Sequence, residues 1–167
     1  MPVWRIVVCV VMVLASAMAS ARELYVDQGG GGDYTTITAA VSAAVDRDTI
    51  VVACGTYQEP WILILKNISL RSETRDPECA ILDGQGTHRI MSVGRGDSTQ
   101  YIEGFTFDRG FGSVSEAQSW GGAVYIGGCG PTIANCTFSS CQASRGGAIA
   151  TKNASGASIT NCSFTGN

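Results

Sequence analysis

Four acidic side chains in the middle of the chain are the first candidates for chemistry. They are Asp83, Asp97, Glu103 and Asp108. Carboxylate oxygens are the ligands that Ca²⁺ prefers, so these side chains would form a calcium site if successive turns of the chain brought them to one face. Their spacing does not enforce such a cluster, and no Asp or Glu follows Glu116. The sequence therefore predicts no cofactor. Calcium binding is expected only under the alternative that the protein is an enzyme.

Asp108 and Arg109 place a candidate nucleophile directly beside a cation. A carboxylate can act as a nucleophile when its charge and position are controlled by its neighbours. Adjacent side chains on a strand, however, point to opposite faces of the sheet. We therefore expect Asp108 and Arg109 not to cooperate directly, and solvated loop positions are the simpler interpretation of both.

The overall charge argues against one class of partner. Eleven Lys and Arg are outnumbered by fourteen Asp and Glu, which gives a formal net charge of −3, and the basic residues are scattered along the chain. A nucleic-acid-binding surface needs a clustered basic patch. The sequence therefore predicts no nucleic-acid partner.

Two short motifs recur at nearly the same interval and define the architecture. Residues 121–124 (GGAV) return as 146–149 (GGAI), and residues 132–138 (TIANCTF) return as 158–164 (SITNCSF). Each unit holds short β-type segments separated by Gly, Pro and Asn, without helical periodicity. Such a repeat predicts a parallel β-helix, in which each coil buries its inward side chains by stacking on its neighbours.

Equivalent positions of neighbouring coils should lie about 4.8 Å apart and form ladders of like side chains. The expected ladders are Ile133 with Ile159, Phe138 with Phe164, and Asn135 with Asn161. The asparagines fall between the aliphatic and aromatic positions, where a side-chain amide can satisfy bent backbone by stacking on the next coil.

Two cysteine pairs also match the length of one coil. Cys54 and Cys79 have the same separation as the GGAV and GGAI motifs, and stacked positions lie within the Cα separation that a disulfide accepts, so we predict a Cys54–Cys79 bridge. Cys136 and Cys162 occupy equivalent positions in the second repeated motif, each shortly before a ladder phenylalanine. We expect them to stack in the interior as small apolar side chains.

The N-terminus has the pattern of a secretory signal peptide. Arg5 precedes the apolar run at residues 6–14, and the small residues Ala19 and Ala21 form a suitable cleavage pair. The run is too short to span a bilayer, and no later segment approaches about 18 consecutive apolar residues. We therefore expect a protein without a transmembrane segment that is secreted or located at the cell surface.

One segment, residues 34–45, departs from the strand pattern. Its apolar positions at helical spacing are Ile37, Ala40, Val41 and Ala44. Thr35 or Thr36 provides an N-cap. A short amphipathic helix here would cover the first coil, because the end of a solenoid exposes its core unless it is capped.

The sequence thus divides into a signal peptide at residues 1–21, an N-terminal cap at residues 22–48 and β-helix coils at residues 49–167. The last repeat strand is not followed by a segment that would cover the open coil. We expect the coils to be incomplete on the C-terminal side. End-to-end association through the open coil and fraying of the last coil are the alternatives.

Residues 25–57 carry a resemblance to a known family. This segment (YVDQGGGGDYTTITAAVSAAVDRDTIVVACGTY) resembles the N-terminal cap and first coil of pectin-lyase-like β-helix proteins. The GGAV, GGAI and FTGN (164–167) segments look like the repeats of polymorphic outer-membrane-protein-type adhesins. The resemblance implies an all-β, right-handed single-stranded parallel β-helix with a short N-terminal capping helix.

The resemblance implies two functions. One is a secreted, non-catalytic, adhesin-like module that binds a carbohydrate or another cell-surface ligand. The other is a carbohydrate-active enzyme similar to pectate lyases or pectinesterases, with Asp108 and Arg109 as its catalytic candidates. The segment at residues 104–112 (GFTFDRGFG) lacks the aspartate-phenylalanine-isoleucine-phenylalanine-glycine element of pectinesterases. This departure favours the binding module.

Overall fold

The structure is a computed structural model that describes residues 20–96, 99–112, 120–153 and 156–167. The described residues form one helix and fifteen short strands. In chain order these elements are β1 (Glu23–Val26), α1 (Ile37–Ala43), β2 (Thr49–Val52), β3 (Gly55–Tyr57), β4 (Ile62–Ile64), β5 (Ser69–Ser72), β6 (Ala80–Asp83), β7 (Met91–Gly94), β8 (Tyr101–Glu103), β9 (Phe105–Asp108), β10 (Val124–Gly127), β11 (Thr132–Ala134), β12 (Thr137–Ser139), β13 (Ile149–Lys152), β14 (Ser158–Thr160) and β15 (Ser163–Thr165).

The strands form three parallel sheets, because every third strand along the chain is a hydrogen-bonded neighbour. The first sheet has the order β1-β2-β5-β8-β11-β14, the second β3-β6-β9-β12-β15 and the third β4-β7-β10-β13. Each of the first four coils therefore adds one strand to each sheet, with β2–β4 as the first coil, β5–β7 the second, β8–β10 the third and β11–β13 the fourth. The fifth coil, β14–β15, extends the first and second sheets. This confirms the predicted right-handed parallel β-helix with a short N-terminal helix.

The core is a set of stacked columns between the sheets. In the first sheet, Ile102 pairs with Ile133, which pairs with Ile159. In the second sheet, Phe138 stacks between two phenylalanines: its ring centroid is 4.8 Å from that of Phe107 and 4.9 Å from that of Phe164, with nearly parallel planes. Stacking of this kind fixes the coils in one register.

Two asparagines turn the chain from the first sheet to the second. Asn135 and Asn161 have φ angles of 51° and 50°, a left-handed conformation that asparagine tolerates better than most residues. Asn161 Nδ2 donates to Asn135 Oδ1 at 2.6 Å, and Asn135 Nδ2 donates to Glu103 Oε1 at 2.8 Å. Glu103 also pairs with Arg75 Nε at 3.4 Å. A polar ladder of Glu103, Asn135 and Asn161 thus runs along this corner over three coils, and Arg75 extends it to the second coil.

The helix α1 covers the start of the solenoid. Thr36 is its N-cap, and the Thr36 hydroxyl accepts a hydrogen bond from the Ala39 amide at 3.2 Å. Its buried face consists of Ile37, Ala40 and Val41, which belong to the same core as the first coil. The amphipathic pattern in the sequence is therefore used to close the apolar end of the interior.

Charged side chains from the first coil contact both ends of α1. The Glu59 carboxylate accepts hydrogen bonds from the Ile37 and Thr38 amides at 2.6 and 2.8 Å. Lys66 Nζ donates to the carbonyl oxygens of Val41, Ser42 and Ala44 at 3.0, 2.8 and 2.6 Å. An anion at the N-terminus and a cation at the C-terminus satisfy the open backbone groups and complement the helix dipole.

A disulfide joins the first two coils. Cys54 and Cys79 are bridged with a Cα–Cα distance of 4.4 Å, which confirms the predicted pair. The bridge lies at the corner where the chain enters the second sheet, since Cys54 directly precedes β3 and Cys79 directly precedes β6.

The predicted signal peptide lies outside the described residues except for its last two positions. From residue 20 onward, in the ranges given above, no helix has the length and apolar character needed to cross a bilayer.

We predict that the Lys66→Met variant lowers the free energy of unfolding by about 1–3 kcal/mol, because three helix carbonyl groups lose a charged donor. Urea denaturation followed by circular dichroism measures this change. The matched control is Arg47→Met, which removes a charge of the same sign at an exposed position before β2 and should change stability by less than about 0.5 kcal/mol. Equal losses in the two variants would contradict a clamping role for Lys66.

Candidate functional site

The acidic residues at the ends of β6 and β9 form one cluster with an arginine. Asp83 and Asp108 are register partners in the second sheet. The Arg109 guanidinium reaches across to Asp83, with Nε 3.1 Å from Oδ1 and Nη2 2.5 Å from Oδ2. Two aspartates and an arginine, contributed by two neighbouring coils, therefore meet at one point of the surface.

Asp83 is almost fully buried, with 2% of its surface exposed. In addition to the two bonds from Arg109, it accepts a hydrogen bond from Gln58 Nε2 at 3.0 Å and one from the Gln85 amide at 2.8 Å. Burial raises the pKa of Asp83, but the hydrogen bonds from Gln85, Gln58 and Arg109 outweigh it and hold the pKa below its ordinary value. This carboxylate is therefore ionised and has a donor on each of its four accepting positions.

The expectation that Asp108 and Arg109 point to opposite faces is wrong. Arg109 Nε lies 3.3 Å from Asp108 Oδ2, because Arg109 follows the last residue of β9 and has a φ of 49°. In this left-handed conformation the alternation of a strand no longer applies. Asp108 also accepts a hydrogen bond from Ser139 Oγ at 2.6 Å.

Glu103, another calcium candidate, does not join this cluster. Glu103 lies at the opposite corner of the coil, in the polar ladder with Asn135. Asp97 lies outside the described residues. Within the part of the chain that the structure describes, no three His, Cys, Asp or Glu side chains meet where they could hold a metal ion.

The outer face of the third sheet has a different character, because large apolar side chains are exposed there. Trp61, Leu63 and Leu65 of the first coil are 55%, 42% and 41% exposed. Together with side chains of the next two coils they border a depression of about 210 Å³, here called the third-sheet cleft. Its lining consists of Trp61, Leu63, Leu65, Arg89, Ser92, Val93, Gly94, Tyr125 and Gly127.

The aromatic rings of the cleft are held by specific contacts. Trp61 Nε1 donates a hydrogen bond to Ser92 Oγ at 2.8 Å. The Arg89 guanidinium carbon lies 5.3 Å from the centre of the Tyr125 ring, a cation–π distance. Arg89 itself is fixed by hydrogen bonds to the carbonyl oxygens of Gly121 and Trp120, at 3.0 and 2.7 Å. The orientations of both rings are therefore fixed by contacts within the protein.

Two glycines form the floor between these rings. Gly94 and Gly127 are register partners on β7 and β10. A Cβ atom on Gly94 would lie 3.2 Å from the Gly127 carbonyl oxygen, and one on Gly127 would lie 3.0 Å from a Tyr125 ring carbon. The absence of side chains at these two positions keeps the floor low and open.

Sequence reasoning did not find this cleft, because its aromatic residues have no fixed spacing in the chain. One signal was present in residues 61–65 (WILIL), an unbroken apolar run. Such a run is typical of a strand buried on both faces. In the structure Ile62 and Ile64 point into the core, so the outward row of this strand is left exposed.

We predict that Arg109→Met lowers the Tm by roughly 3–6 °C near pH 7, because a buried carboxylate loses its cation. A lowered folded-state pKa means that Asp83 contributes stability above about pH 4 and that this contribution is lost as the pH falls. The deficit of the variant should therefore shrink below about pH 4, measured by thermal unfolding from pH 3 to 7.

The control for this prediction is Asp108→Asn, which alters the more exposed carboxylate of the cluster. A smaller change in Tm is expected for it. A deficit of Arg109→Met that is unchanged at pH 3 would show that packing, and not charge, accounts for the loss.

Comparison with known proteins adds one structural neighbour. No protein-family model matches the chain, and no curated protein matches it. Among solved structures it is similar to a pectin methylesterase from Aspergillus niger, with 17% sequence identity and a TM-score of 0.45. The similarity covers 89% of this chain and 57% of the neighbour, so the chain spans little more than half the length of that protein.

Proposed function

We propose that this protein is a secreted, non-catalytic β-helix module that binds a polysaccharide through the third-sheet cleft. The observation that supports this function is the set of exposed apolar and aromatic side chains around an open glycine floor. Exposed contiguous apolar surface is costly in water and commonly marks an interaction site. Trp and Tyr are suited to such sites because they combine a large apolar face with a polar group.

The geometry of the cleft favours an extended ligand. Trp61 belongs to the first coil and Tyr125 to the third, so two coil steps, roughly 10 Å in total, separate the parts of the backbone that carry them. Sugar rings carry apolar C–H faces, and a chain of such rings can contact both aromatic side chains along the direction of the solenoid. Because the rings are already held by Ser92 and Arg89, little side-chain entropy is lost on binding.

The alternative function is that of an enzyme similar to pectinesterases or pectate lyases, with the Asp83–Asp108–Arg109 cluster as its active site. A carboxylate that takes or gives a proton during a reaction needs a pKa near the working pH. The pKa of Asp83 is shifted the opposite way, and its accepting positions are occupied by donors from the same chain. These contacts support a structural role for the cluster.

The contacts of Arg22 support secretion with cleavage after Ala21. The Arg22 backbone nitrogen lies 3.0 Å from Asp48 Oδ1, and its guanidinium pairs with the same carboxylate at 2.6 Å. Asp48 is fully buried. Cleavage would turn the Arg22 nitrogen into an α-ammonium group beside this buried anion, which strengthens the hydrogen bond by charge assistance.

We predict that Trp61→Ala weakens polysaccharide binding about tenfold or more, since it removes one wall of the cleft. Retardation in native gels that contain polygalacturonate, methyl-esterified pectin or xylan gives the dissociation constants. Tyr101→Ala is the matched control: Ile102 points into the core, so Tyr101 faces outward on the first sheet. This variant should bind like the unmodified protein.

The same samples distinguish the two functions. Retention of the unmodified protein on one of the gels without turnover of the polysaccharide supports the binding module. Release of methanol or of unsaturated uronate, abolished in Asp108→Asn, would overturn the proposal in favour of the enzyme. Lack of retention on all three gels would also contradict it.

We predict that the secreted protein begins at Arg22, as measured by its intact mass after export. An intact mass that corresponds to another first residue would contradict the cleavage site.

Hydrogen bonds from Arg22 lower the pKa of Asp48 to about 2 against the opposing effect of burial. Asp48 therefore stabilises the fold above about pH 4, and this stabilisation is lost as the pH falls towards 2. Asp48→Asn should lower the Tm by roughly 5 °C at pH 7 and by less at pH 3.

A further inference from the structure

Two thiols meet between the fourth and fifth coils. Cys136 directly precedes β12, and Cys162 directly precedes β15. These strands pair in register from Thr137 and Ser163 onward, and the Ser163 amide donates to the Cys136 carbonyl oxygen at 2.9 Å. Each thiol donates to the carbonyl oxygen two residues earlier in the chain, Cys136 to Ala134 at 3.1 Å and Cys162 to Thr160 at 3.3 Å, so the two side chains leave the backbone in the same way.

The same corner of the first two coils already contains a disulfide. Cys54 and Cys79 also directly precede strands of the second sheet, and the Gly55 amide donates to the Cys79 carbonyl oxygen at 2.8 Å. Backbones of paired strands lie about 4.8 Å apart, within the Cα separation that disulfides accept. Cys136 aligns with Phe105 and Ala80, so the Cys136–Cys162 pair lies one residue further along the second sheet than the existing bridge, with Cys136 buried.

The geometry points to a second disulfide, Cys136–Cys162, which forms when the protein meets a thiol–disulfide oxidant and which fastens the fifth coil to the fourth. This inference does not depend on the polysaccharide-binding function. It extends the sequence-based interpretation of these residues as small apolar side chains, because their neighbouring positions on paired strands make them a redox-sensitive pair.

The order of the reaction follows from the surroundings of the two sulfurs. Cys162 is partly exposed, whereas Cys136 is buried. The neighbouring Cys136 thiol lowers the pKa of Cys162, and the neighbouring Cys162 thiol together with burial raises the pKa of Cys136. Cys162 is therefore the thiol that becomes a thiolate first and that a small oxidant can reach.

The step is balanced with a small-molecule disulfide as the oxidant. The Cys162 thiolate attacks one sulfur of that disulfide and forms a mixed disulfide, and one small thiolate departs. Cys136 then gives up its proton and attacks the Cys162 sulfur, which releases the second small thiol. Two protein thiols lose two hydrogens in total, and one small disulfide is reduced to two thiols.

The remaining thiols offer a matched control. Cys141 is buried, and its sulfur contacts backbone groups: it accepts from the Gly110 amide at 3.4 Å and lies 3.2 Å from the Ser139 carbonyl oxygen. A Cys141→Ser variant removes a buried thiol that follows β12 and leaves both Cys136 and Cys162 in place.

The test is peptide mapping under non-reducing conditions. The purified protein is incubated with oxidised glutathione, the remaining thiols are blocked in urea, and the protein is digested with trypsin. Cleavage after Arg145 and Lys152 places Cys162 on a different peptide from Cys136, and fragmentation separates Cys136 from Cys129 and Cys141. We expect a Cys136–Cys162 linked peptide, two hydrogens lighter than the sum of its parts, on isolation or after oxidation.

The linkage should persist in Cys141→Ser and disappear in Cys162→Ser. Hydrogen exchange gives a second measurement, in which oxidation slows exchange of the β14 and β15 amides about tenfold in the unmodified protein and leaves Cys162→Ser unchanged. A stable glutathione adduct on Cys162, or a link from Cys162 to Cys129 or Cys141, would overturn the proposal. Unchanged exchange on oxidation would show that the bridge does not fasten the fifth coil.

Discussion

The in-register pairing of successive coils is the constraint on which the rest of this molecule depends. Each strand contains only three or four residues, so its hydrogen bonds and its buried side chains acquire partners only on the neighbouring coils. The stacked rings of Phe107, Phe138 and Phe164 show how closely equivalent positions are superimposed. Once these inward columns are fixed, the outward rows follow, including Ser92 beside Tyr125 in the third sheet and Asp83 beside Asp108 in the second.

Charged and polar side chains stabilise the parts of the solenoid that the stacking of coils does not stabilise, namely its start and its corners. The first coil has no preceding coil to cover it, and there Glu59, Lys66 and the buried Asp48 hold the helix and the first strand in place. At the corners, where the backbone leaves the strand conformation, Asn135 and Arg109 adopt left-handed angles and direct their side chains along the solenoid to the preceding coil. Most ion pairs of the described residues therefore belong to ends and corners, and they define the boundaries of the apolar core.

The fold and the Cys54–Cys79 bridge could be predicted from the sequence because both depend on a single local quantity, the length of one coil. The third-sheet cleft could not, because the loops between its strands differ in length. Leu63, Ser92 and Tyr125 are successive register partners, yet the chain from Leu63 to Ser92 is shorter than the chain from Ser92 to Tyr125. With unequal loops, the sequence alone does not reveal which outward residues become neighbours. The contact of Arg109 with Asp83 was missed for another reason, since a left-handed residue at the end of a strand reverses the direction that simple alternation assigns.

The short turn between β3 and β4 contributes to two features at once. Glu59 holds the N-terminus of α1, and Trp61, at the other end of the same turn, forms a wall of the third-sheet cleft. Under the proposed binding function, the free energy of helix docking and the free energy of ligand stacking would be coupled through three consecutive residues. Thermodynamic reciprocity requires that any ligand that fixes this turn also protects the cap, and that a loosened cap reduces affinity by the same factor.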